Sequence, residues 1–167
     1  MVPQIETERL LLISPSIQCF DAYDEFYTDC DASKAYGGPI SSGKAWARLK
    51  EDLGGWYLDG FGVWAIKEKG SEKIVGTCGF WQGLRWPREL TWWLLPESRS
   101  KGYAKEASIA VVAHAYNKFG WSEVETYMRD SNHSARALVE RLGGIKSRRS
   151  EFPDGLSRDI FTIPKPV

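Results

Sequence analysis

The stretch ELTWWLLPESRSKGYAKEA, residues 89–107, decides the fold of this chain. An apolar strand runs into a short polar turn, Arg99–Ala104, and the turn opens a helix. Successive backbone N–H groups at such a turn form a positive concavity, to which the helix start adds about half a unit charge. Gly102 omits the Cβ that would block close approach, and Arg99 and Lys101 add positive charge at the rim. The stretch therefore predicts a pyrophosphate-binding turn.

The residues before this stretch alternate between strand and helix signals. Apolar residues recur at helical spacing from Ile17 to Tyr27, and residues 29–43 are rich in Asp, Gly, Pro and Ser, which predicts a loop. A second helix is predicted over residues 44–53. Strands are predicted over 9–13, 61–67 and 73–81, the last two joined by a hairpin turn at 68–72.

After the turn, an apolar stripe predicts a helix from Ala104 to Phe119, and Gly120 stands where a left-handed cap belongs. A strand is expected at 124–129, and a helix capped by Asn132 or Ser131 runs to Leu142. The remaining strands are predicted over 145–149 and 156–163. Hairpins first and strand–helix alternation later favour an α+β domain with a mixed, mostly antiparallel sheet.

Four phrases of the sequence resemble the GNAT (general N-acetyltransferase) superfamily, and most closely its ribosomal-protein alanine N-acetyltransferase branch. They are the Arg-x-x-Gly-x-Ala loop at 99–104, Thr-x-Arg-Leu at 7–10, Trp-Leu-x-Pro-Glu at 93–97, and Asn-x-x-Ala-Arg-x-Leu-x-Glu-Arg-x-Gly at 132–143. The resemblance implies one domain over residues 1–167, with about seven strands and helices on both faces of the sheet. It also implies that strands 89–95 and 124–129 run parallel and splay apart to admit pantetheine.

The resemblance further implies acetyl-CoA as co-substrate, bound by backbone groups. Pantetheine would pair with Leu94, and pyrophosphate would lie on Arg99, Ser100, Lys101, Gly102, Tyr103 and Ala104. Asn132 would contact the pantetheine arm or order the loop near it. The alternative is that Asn132 only caps the following helix, and both roles are compatible.

The candidate general base is Glu89, which would take a proton from the attacking amine. Alternation along the strand puts Glu89 and Trp93 on one face, and burial beside that ring would raise the pKa of the carboxyl group. The competing interpretation is a strand-end glutamate paired with Arg85 or Arg88.

The general acid is where the sequence departs from the family pattern. Val139 stands where many relatives have a tyrosine, and Ala135 stands where the ribosomal-protein branch often has a serine. Tyr127, Ser134 or water would then protonate the thiolate, unless the thiolate leaves without an acid.

The leading functional hypothesis is an N-acetyltransferase acting on a primary amine, such as a protein N-terminus, an amino acid, a polyamine or an antibiotic. The alternative is an acyl-CoA-binding module with little turnover, which the missing tyrosine and serine favour. A dinucleotide-binding domain is disfavoured because Gly-x-Gly-x-x-Gly is absent.

Acceptor contacts are expected from loops 29–43, 82–88 and 150–156. The candidate contacts are tryptophans and loop carboxylates: Trp46, Trp81, Trp86, Trp92, Trp93, Asp29, Asp31 and Asp154.

Composition narrows the partners of the chain. The 167 residues include 22 Lys and Arg against 22 Asp and Glu, so no global field favours nucleic acid or membranes. Two separate histidines and three scattered cysteines make no recognisable metal site or disulfide framework. The start of the chain does not read as a secretion signal, which predicts a cytoplasmic protein with reduced thiols. The edge strands and tryptophans would suit a homodimer.

Overall fold

The computed structural model describes residues 1–167, which form eight strands and five α-helices. The strands are β1 (Ile5–Glu6), β2 (Leu10–Ile13), β3 (Val63–Glu68), β4 (Ile74–Trp81), β5 (Glu89–Leu94), β6 (Val124–Tyr127), β7 (Ile145–Glu151) and β8 (Ser157–Ile163). The helices are α1 (Phe20–Thr28), α2 (Cys30–Ser33), α3 (Ser42–Leu58), α4 (Tyr103–His114) and α5 (His133–Arg141). No helix is long and apolar enough to span a bilayer.

The strands form two sheets rather than one. β1 to β5 follow one another in an antiparallel five-stranded sheet, and a three-stranded sheet has the order β6-β8-β7. The predicted mixed α/β architecture with mostly antiparallel strands is confirmed. The prediction of about seven strands in one sheet differs in two respects. β1 is an additional two-residue strand, and β5 and β6 share no backbone pairing, so the strands divide into two sheets.

Side chains replace backbone pairing along the free edge of β5. The Leu90 carbonyl accepts a hydrogen bond from Thr126 Oγ1 of β6 at 2.8 Å. The Trp92 carbonyl accepts one from the Tyr36 hydroxyl. The Leu94 carbonyl accepts one from Arg99 Nε at 3.2 Å. Alternate carbonyls of β5 therefore point away from β4, into the opening between the two sheets.

The core lies on both faces of the five-stranded sheet. One cluster packs the sheet against α4 and includes Trp64, Phe80 and Val111. The other packs it against α1 and α3, where Trp93 stacks on Phe26 with ring centroids 4.3 Å apart. Helices on both faces fix the sheet, and they leave the edge of β5 as the accessible opening.

Three segments differ from their predicted bounds for local reasons. α3 continues beyond residue 53 to Leu58, because Trp56 is buried there and its indole N–H donates to the Val63 carbonyl at 2.8 Å. The predicted loop at 29–43 contains α2, whose first turn is capped by Asp29 accepting from the Ala32 N–H at 2.6 Å. Residues 115–119 form a π-helical turn, which ends at Gly120 with a φ of 69°.

Candidate functional site

The turn before α4 presents a row of free backbone donors. Ser100 and Gly102 adopt left-handed φ angles of 62° and 81°. No group in the protein accepts a hydrogen bond from the N–H of any residue from 100 to 105, so six consecutive amides are free. A concave row of N–H groups at a helix start is suited to an anion. All six predicted loop residues, Arg99 to Ala104, lie in or beside this row.

The N-terminal Thr-x-Arg-Leu phrase braces the turn, a role that sequence reasoning missed. Arg9 Nη1 donates to the Lys101 carbonyl at 2.8 Å, and Arg9 Nε donates to Glu106 Oε1 at 2.7 Å. The Thr7 hydroxyl donates to Glu106 Oε2 at 2.6 Å. The Arg9 guanidinium also lies 4.8 Å from the centroid of the Tyr103 ring. No local signal points to this contact, because an acidic residue such as Glu106 is common in the first turn of any helix.

A cavity of about 280 Å³ opens where the two sheets separate. Its walls come from β5, β6 and α3, from the loop after α2, and from the turn between β7 and β8. Glu89, Tyr127 and Asn132 all line it, so three predicted site residues are brought together. Leu94 and the loop 99–104 are not part of its lining.

Glu89 is half-buried in this cavity and forms no ion pair with Arg85 or Arg88. Burial raises the pKa of Glu89 to about 8, although the positive charges of Arg48 and Arg158 and the nearby Tyr127 hydroxyl act in the opposite direction. Trp93, on the same face of β5, packs into the core on Phe26. A carboxyl group with this pKa exchanges protons near neutral pH.

The two side-chain candidates for the acid occupy different surroundings. The Tyr127 hydroxyl lies beside Glu89 and donates to the Pro87 carbonyl at 2.9 Å. Burial and the Glu89 charge raise the pKa of Tyr127, so the phenol keeps its proton. Ser134 is exposed, lies outside the cavity lining, and donates its hydroxyl proton to Asn132 Oδ1 at 3.2 Å.

Asn132 caps α5, because its Oδ1 atom also accepts from the Ala135 N–H at 3.2 Å. Its amide nitrogen donates to no protein group, and the residue lines the cavity. The structure therefore agrees with the capping role and leaves the amide free for a ligand.

Only some of the predicted acceptor contacts reach the cavity. Trp81, Trp86 and Trp92 line it, whereas Trp93 is buried in the core and Trp46 packs edge-on against Phe20. The loop carboxylates are largely engaged elsewhere. Asp154 forms two hydrogen bonds with Arg158, at 3.0 and 2.7 Å, and Asp29 caps α2. Both carboxylates therefore accept from protein donors, and Asp154 also lines the cavity, so its role toward an acceptor stays a prediction.

Arg48 is a cavity residue that sequence reasoning missed. It lies in α3, and its guanidinium faces Asp52 one turn later, with 3.5 Å between Nε and Oδ1. The available signal was the Arg–Asp pair at i and i+4, which is common on ordinary exposed helices. What distinguishes this pair is that Asp52 is almost fully buried and Arg48 borders the cavity.

Comparison with known proteins agrees with this geometry. The family model described as Acetyltransferase (GNAT) domain matches residues 9–145. YoaA, an uncharacterized N-acetyltransferase of Bacillus subtilis strain 168, is 23% identical over 175 residues, which cover 99% of either chain. A solved acetyltransferase from Agrobacterium tumefaciens strain C58 superposes with a TM-score of 0.88 at 26% identity, over 97% of this chain and 94% of the other.

The same fold occurs in RimL, a ribosomal L7/L12 alpha-N-protein acetyltransferase solved in complex with coenzyme A. Its TM-score is 0.78 at 11% identity, over 96% of this chain and 97% of the other. The match to the family model covers most of the chain, including the turn before α4, the Glu89 strand and Asn132. The chain therefore belongs to the GNAT acetyltransferase family, and it is an acyltransferase.

Proposed function

We propose that the protein transfers an acetyl group from acetyl-CoA to a primary amine, by direct attack of the amine within a ternary complex. The observation that carries the proposal is the row of six free N–H groups at 100–105, located on the same strand–turn–helix unit as Glu89. The turn at one end of this unit would bind a pyrophosphate, and Glu89 at the other end would accept a proton.

The co-substrate would be held mainly by backbone. The free amides of the turn would bind pyrophosphate oxygens, with Arg99 and Lys101 at the rim. Leu94 would offer its N–H to the pantetheine arm, since its carbonyl already accepts from Arg99. The Asn132 amide, which has no protein partner, would donate to the same arm.

Glu89 would act as the base. An amine is largely an ammonium ion at neutral pH and has no lone pair until it loses a proton. A carboxyl group whose pKa is about 8 is a stronger base than an exposed glutamate, and it becomes ionised in the range where enzymes usually work.

Tyr127 is the proposed acid. Its phenol stays protonated because burial and the neighbouring Glu89 charge raise its pKa. The position next to Glu89 would let the hydroxyl turn from the Pro87 carbonyl toward a leaving thiolate. Direct attack forms the N–C bond and breaks the C–S bond, and the thiolate then takes one proton.

A second candidate function is an acyl-CoA-binding module with little turnover. The observation that favours it is the position of Ser134, which is exposed and hydrogen-bonded to Asn132 rather than directed into the cavity. Under this alternative the turn would bind acetyl-CoA, and no residue would serve as acid.

The first test is calorimetric titration of acetyl-CoA into the wild type, Gly102→Trp and Gly70→Trp. The indole introduced by Gly102→Trp would block the turn and crowd Arg9 Nη2, which lies 3.3 Å from a Cβ at this position. Gly70 has a similar φ of 80° with open space around it and serves as the matched control. We expect the wild type and the control to bind and the Gly102 variant to lose binding. Saturation at about 100 times Kd should also stabilise the wild type by about 2.7 kcal/mol.

Turnover is then measured as release of free thiol with a panel of primary amines. Acetylation that Glu89→Gln reduces without changing acetyl-CoA affinity would support the enzyme. Binding without turnover on any amine would support the module. A folded wild type that binds no acetyl-CoA would contradict both.

A further inference from the structure

We propose, resting on the proposed function, that the acceptor amine also carries a carboxylate, that Arg48 binds this carboxylate in the cavity beside Glu89, and that the acceptor is therefore of the free amino acid class.

The Arg48 guanidinium lacks a hydrogen-bonded partner inside the protein. Its five N–H donors make no hydrogen bond to any protein acceptor, and its Nε atom is buried. The nearest carboxylate oxygen, Asp52 Oδ1, is 3.5 Å from Nε, while the other Asp52 oxygen accepts from the Tyr23 hydroxyl at 2.7 Å. The buried Nε atom faces Asp52 and is closed to a ligand, whereas the two Nη atoms keep access to solvent and have no protein acceptor. A ligand carboxylate in the cavity could therefore pair with the Nη donors.

The surrounding residues hold Arg48 in position without using its donors. The guanidinium carbon lies 5.8 Å from the Tyr27 ring centroid and 5.9 Å from that of Trp81. Asp52 provides a charge one helical turn away, and burial raises the pKa of this aspartate to about 6. The side chain remains 34% exposed, on the side where it lines the cavity. A planar guanidinium that is fixed and open on one side matches a carboxylate geometrically.

The charges of the cavity favour an anionic group. Arg48, Arg129 and Arg158 line it, against Glu89 and Asp154. Asp154 is paired in bidentate fashion with Arg158, so this pair contributes little net charge. The charge of Arg48 acts on Glu89 and opposes the increase in its pKa. A substrate carboxylate on Arg48 would offset that charge and make Glu89 a stronger base when the acceptor is bound.

The same features disfavour the other acceptor classes. A polyamine would bring a second cation into a lining that is already positive. A peptide N-terminus has an amide where an amino acid has its carboxylate, and an amide cannot form the charged pair with Arg48. Trp81, Trp86 and Trp92 supply apolar walls, so a large apolar side chain on the amino acid fits the cavity best.

The test compares each amino acid with the amine that lacks only its carboxylate. The pairs are L-tryptophan with tryptamine and L-leucine with isopentylamine, assayed with wild type, Arg48→Gln, Arg48→Lys and Lys50→Gln. Arg48→Lys keeps the charge opposite Asp52 if the glutamine variant does not fold. Lys50 lies on the same helix but outside the cavity, so Lys50→Gln is the matched control that also removes one positive charge.

We expect the wild type to acetylate the amino acid with a kcat/KM about 10- to 100-fold above that of its amine. Arg48→Gln should abolish this preference through a higher KM for the amino acid. Loss of the Arg48 charge also acts on Glu89, but this effect is common to both substrates and leaves the ratio of their kcat/KM values as the measure. Arg48→Lys should retain only part of the preference, because a lysine cannot form the bidentate pair, and Lys50→Gln should behave as the wild type. Equal use of both partners, or a preference that persists in Arg48→Gln, would overturn the inference while leaving the acetyltransferase proposal intact.

A binding measurement separates the inference from turnover. The wild type saturated with coenzyme A is titrated calorimetrically with L-tryptophan and with tryptamine. Binding of L-tryptophan that is lost in Arg48→Gln supports the carboxylate site even if no amine is acetylated, and in that case only the proposed function fails. Absence of amino acid binding, or faster acetylation of a peptide with a neutral N-terminal residue, would contradict the amino acid class.

Discussion

Arg9 Nε lies 2.7 Å from Glu106 Oε1, and this contact ties the N-terminal segment to the first turn of α4. The same arginine donates to the Lys101 carbonyl at 2.8 Å, so a single side chain holds both the turn and the helix that follows it. Burial raises the pKa of Glu106, but the hydrogen bonds from Thr7 and Arg9 outweigh this effect and lower it overall. The carboxylate therefore remains charged and keeps the brace in place at neutral pH.

Arg9→Ala should weaken acetyl-CoA binding by about 10-fold, because the loss of two charge-assisted hydrogen bonds releases the turn. We expect KM for acetyl-CoA to rise while kcat changes less than threefold, since Arg9 does not line the cavity. Lys67→Gln removes another exposed ion pair, to Glu72 at 2.9 Å, and is the control. Steady-state kinetics with varied acetyl-CoA check the prediction, which fails if both variants show the same KM.

The turn before α4 could be predicted from the sequence because it depends on neighbouring residues. A strand, a glycine with φ above zero and a helix start are all encoded within residues 89–107. The cap at Asn132 could be predicted for the same reason. The brace by Arg9 could not, because its partners lie more than 90 positions away and an arginine near the N-terminus has no local signal of its target.

The acceptor side of the cavity depends still more on tertiary packing. Arg48 comes from α3 and Glu89 from β5, and only the folded chain brings them to one cavity. Trp92 and Trp93 are adjacent, yet Trp92 packs against the cluster on the α4 side and Trp93 lies in the cluster with α1 and α3, because side chains alternate along a strand. The sequence pattern predicted that the two faces would differ, but it did not show which face would be covered by α1.

Activity should increase with pH through the pKa of Glu89. A base must be ionised, and the pKa of Glu89 is about 8, so the part of kcat/KM that depends on Glu89 should rise from pH 6 with an inflection near pH 8. Glu89→Gln should lower kcat by about 100-fold or more and remove this inflection. Deprotonation of the free amine raises kcat/KM further at higher pH, and Glu89→Gln should retain this second increase. A wild-type profile without an inflection near 8 would contradict Glu89 as the base.

Glu89 should also make stability depend on pH. Its folded-state pKa is raised above the usual 4.5, so the folded state holds the proton more tightly than the unfolded state. The contribution of this group to stability is therefore lost as pH rises from about 4.5 toward 8. Urea denaturation of wild type and Glu89→Gln at pH 5 and pH 9 checks this. Relative to wild type, the free energy of unfolding of Glu89→Gln should be higher at pH 9 than at pH 5. A difference between the two proteins that does not depend on pH would contradict the prediction.

Substitution of Tyr127 should lower kcat much more than substitution of Ser134. Tyr127→Phe should reduce kcat by about 10-fold or more, since the phenol lies beside Glu89 and keeps its proton. Ser134→Ala should leave kcat within about twofold, because its hydroxyl is exposed and serves only Asn132. Single-turnover kinetics separate the chemical step from product release. A larger loss with Ser134→Ala than with Tyr127→Phe would reverse the assignment of the acid.

The hydrogen bond between Thr126 and Leu90 connects the two sheets, and its removal tests how the opening between them is maintained. Both residues are buried, and the Thr126 hydroxyl donates to the Leu90 carbonyl at 2.8 Å across strands without backbone pairing. Thr126→Val preserves shape but leaves the carbonyl unpaired, which should cost about 1–3 kcal/mol in the free energy of unfolding.

Thr126→Ser is the matched control, because it keeps the hydroxyl and loses a methyl group. Urea denaturation should show a lower midpoint for the valine variant than for the serine variant, with the same slope. Because Leu90 adjoins Glu89 on β5, the valine variant should also raise KM for the acceptor, whereas the serine variant should not. If both variants lose the same stability, the methyl group rather than the hydrogen bond holds the sheets at this spacing, and the cavity owes its width to packing alone.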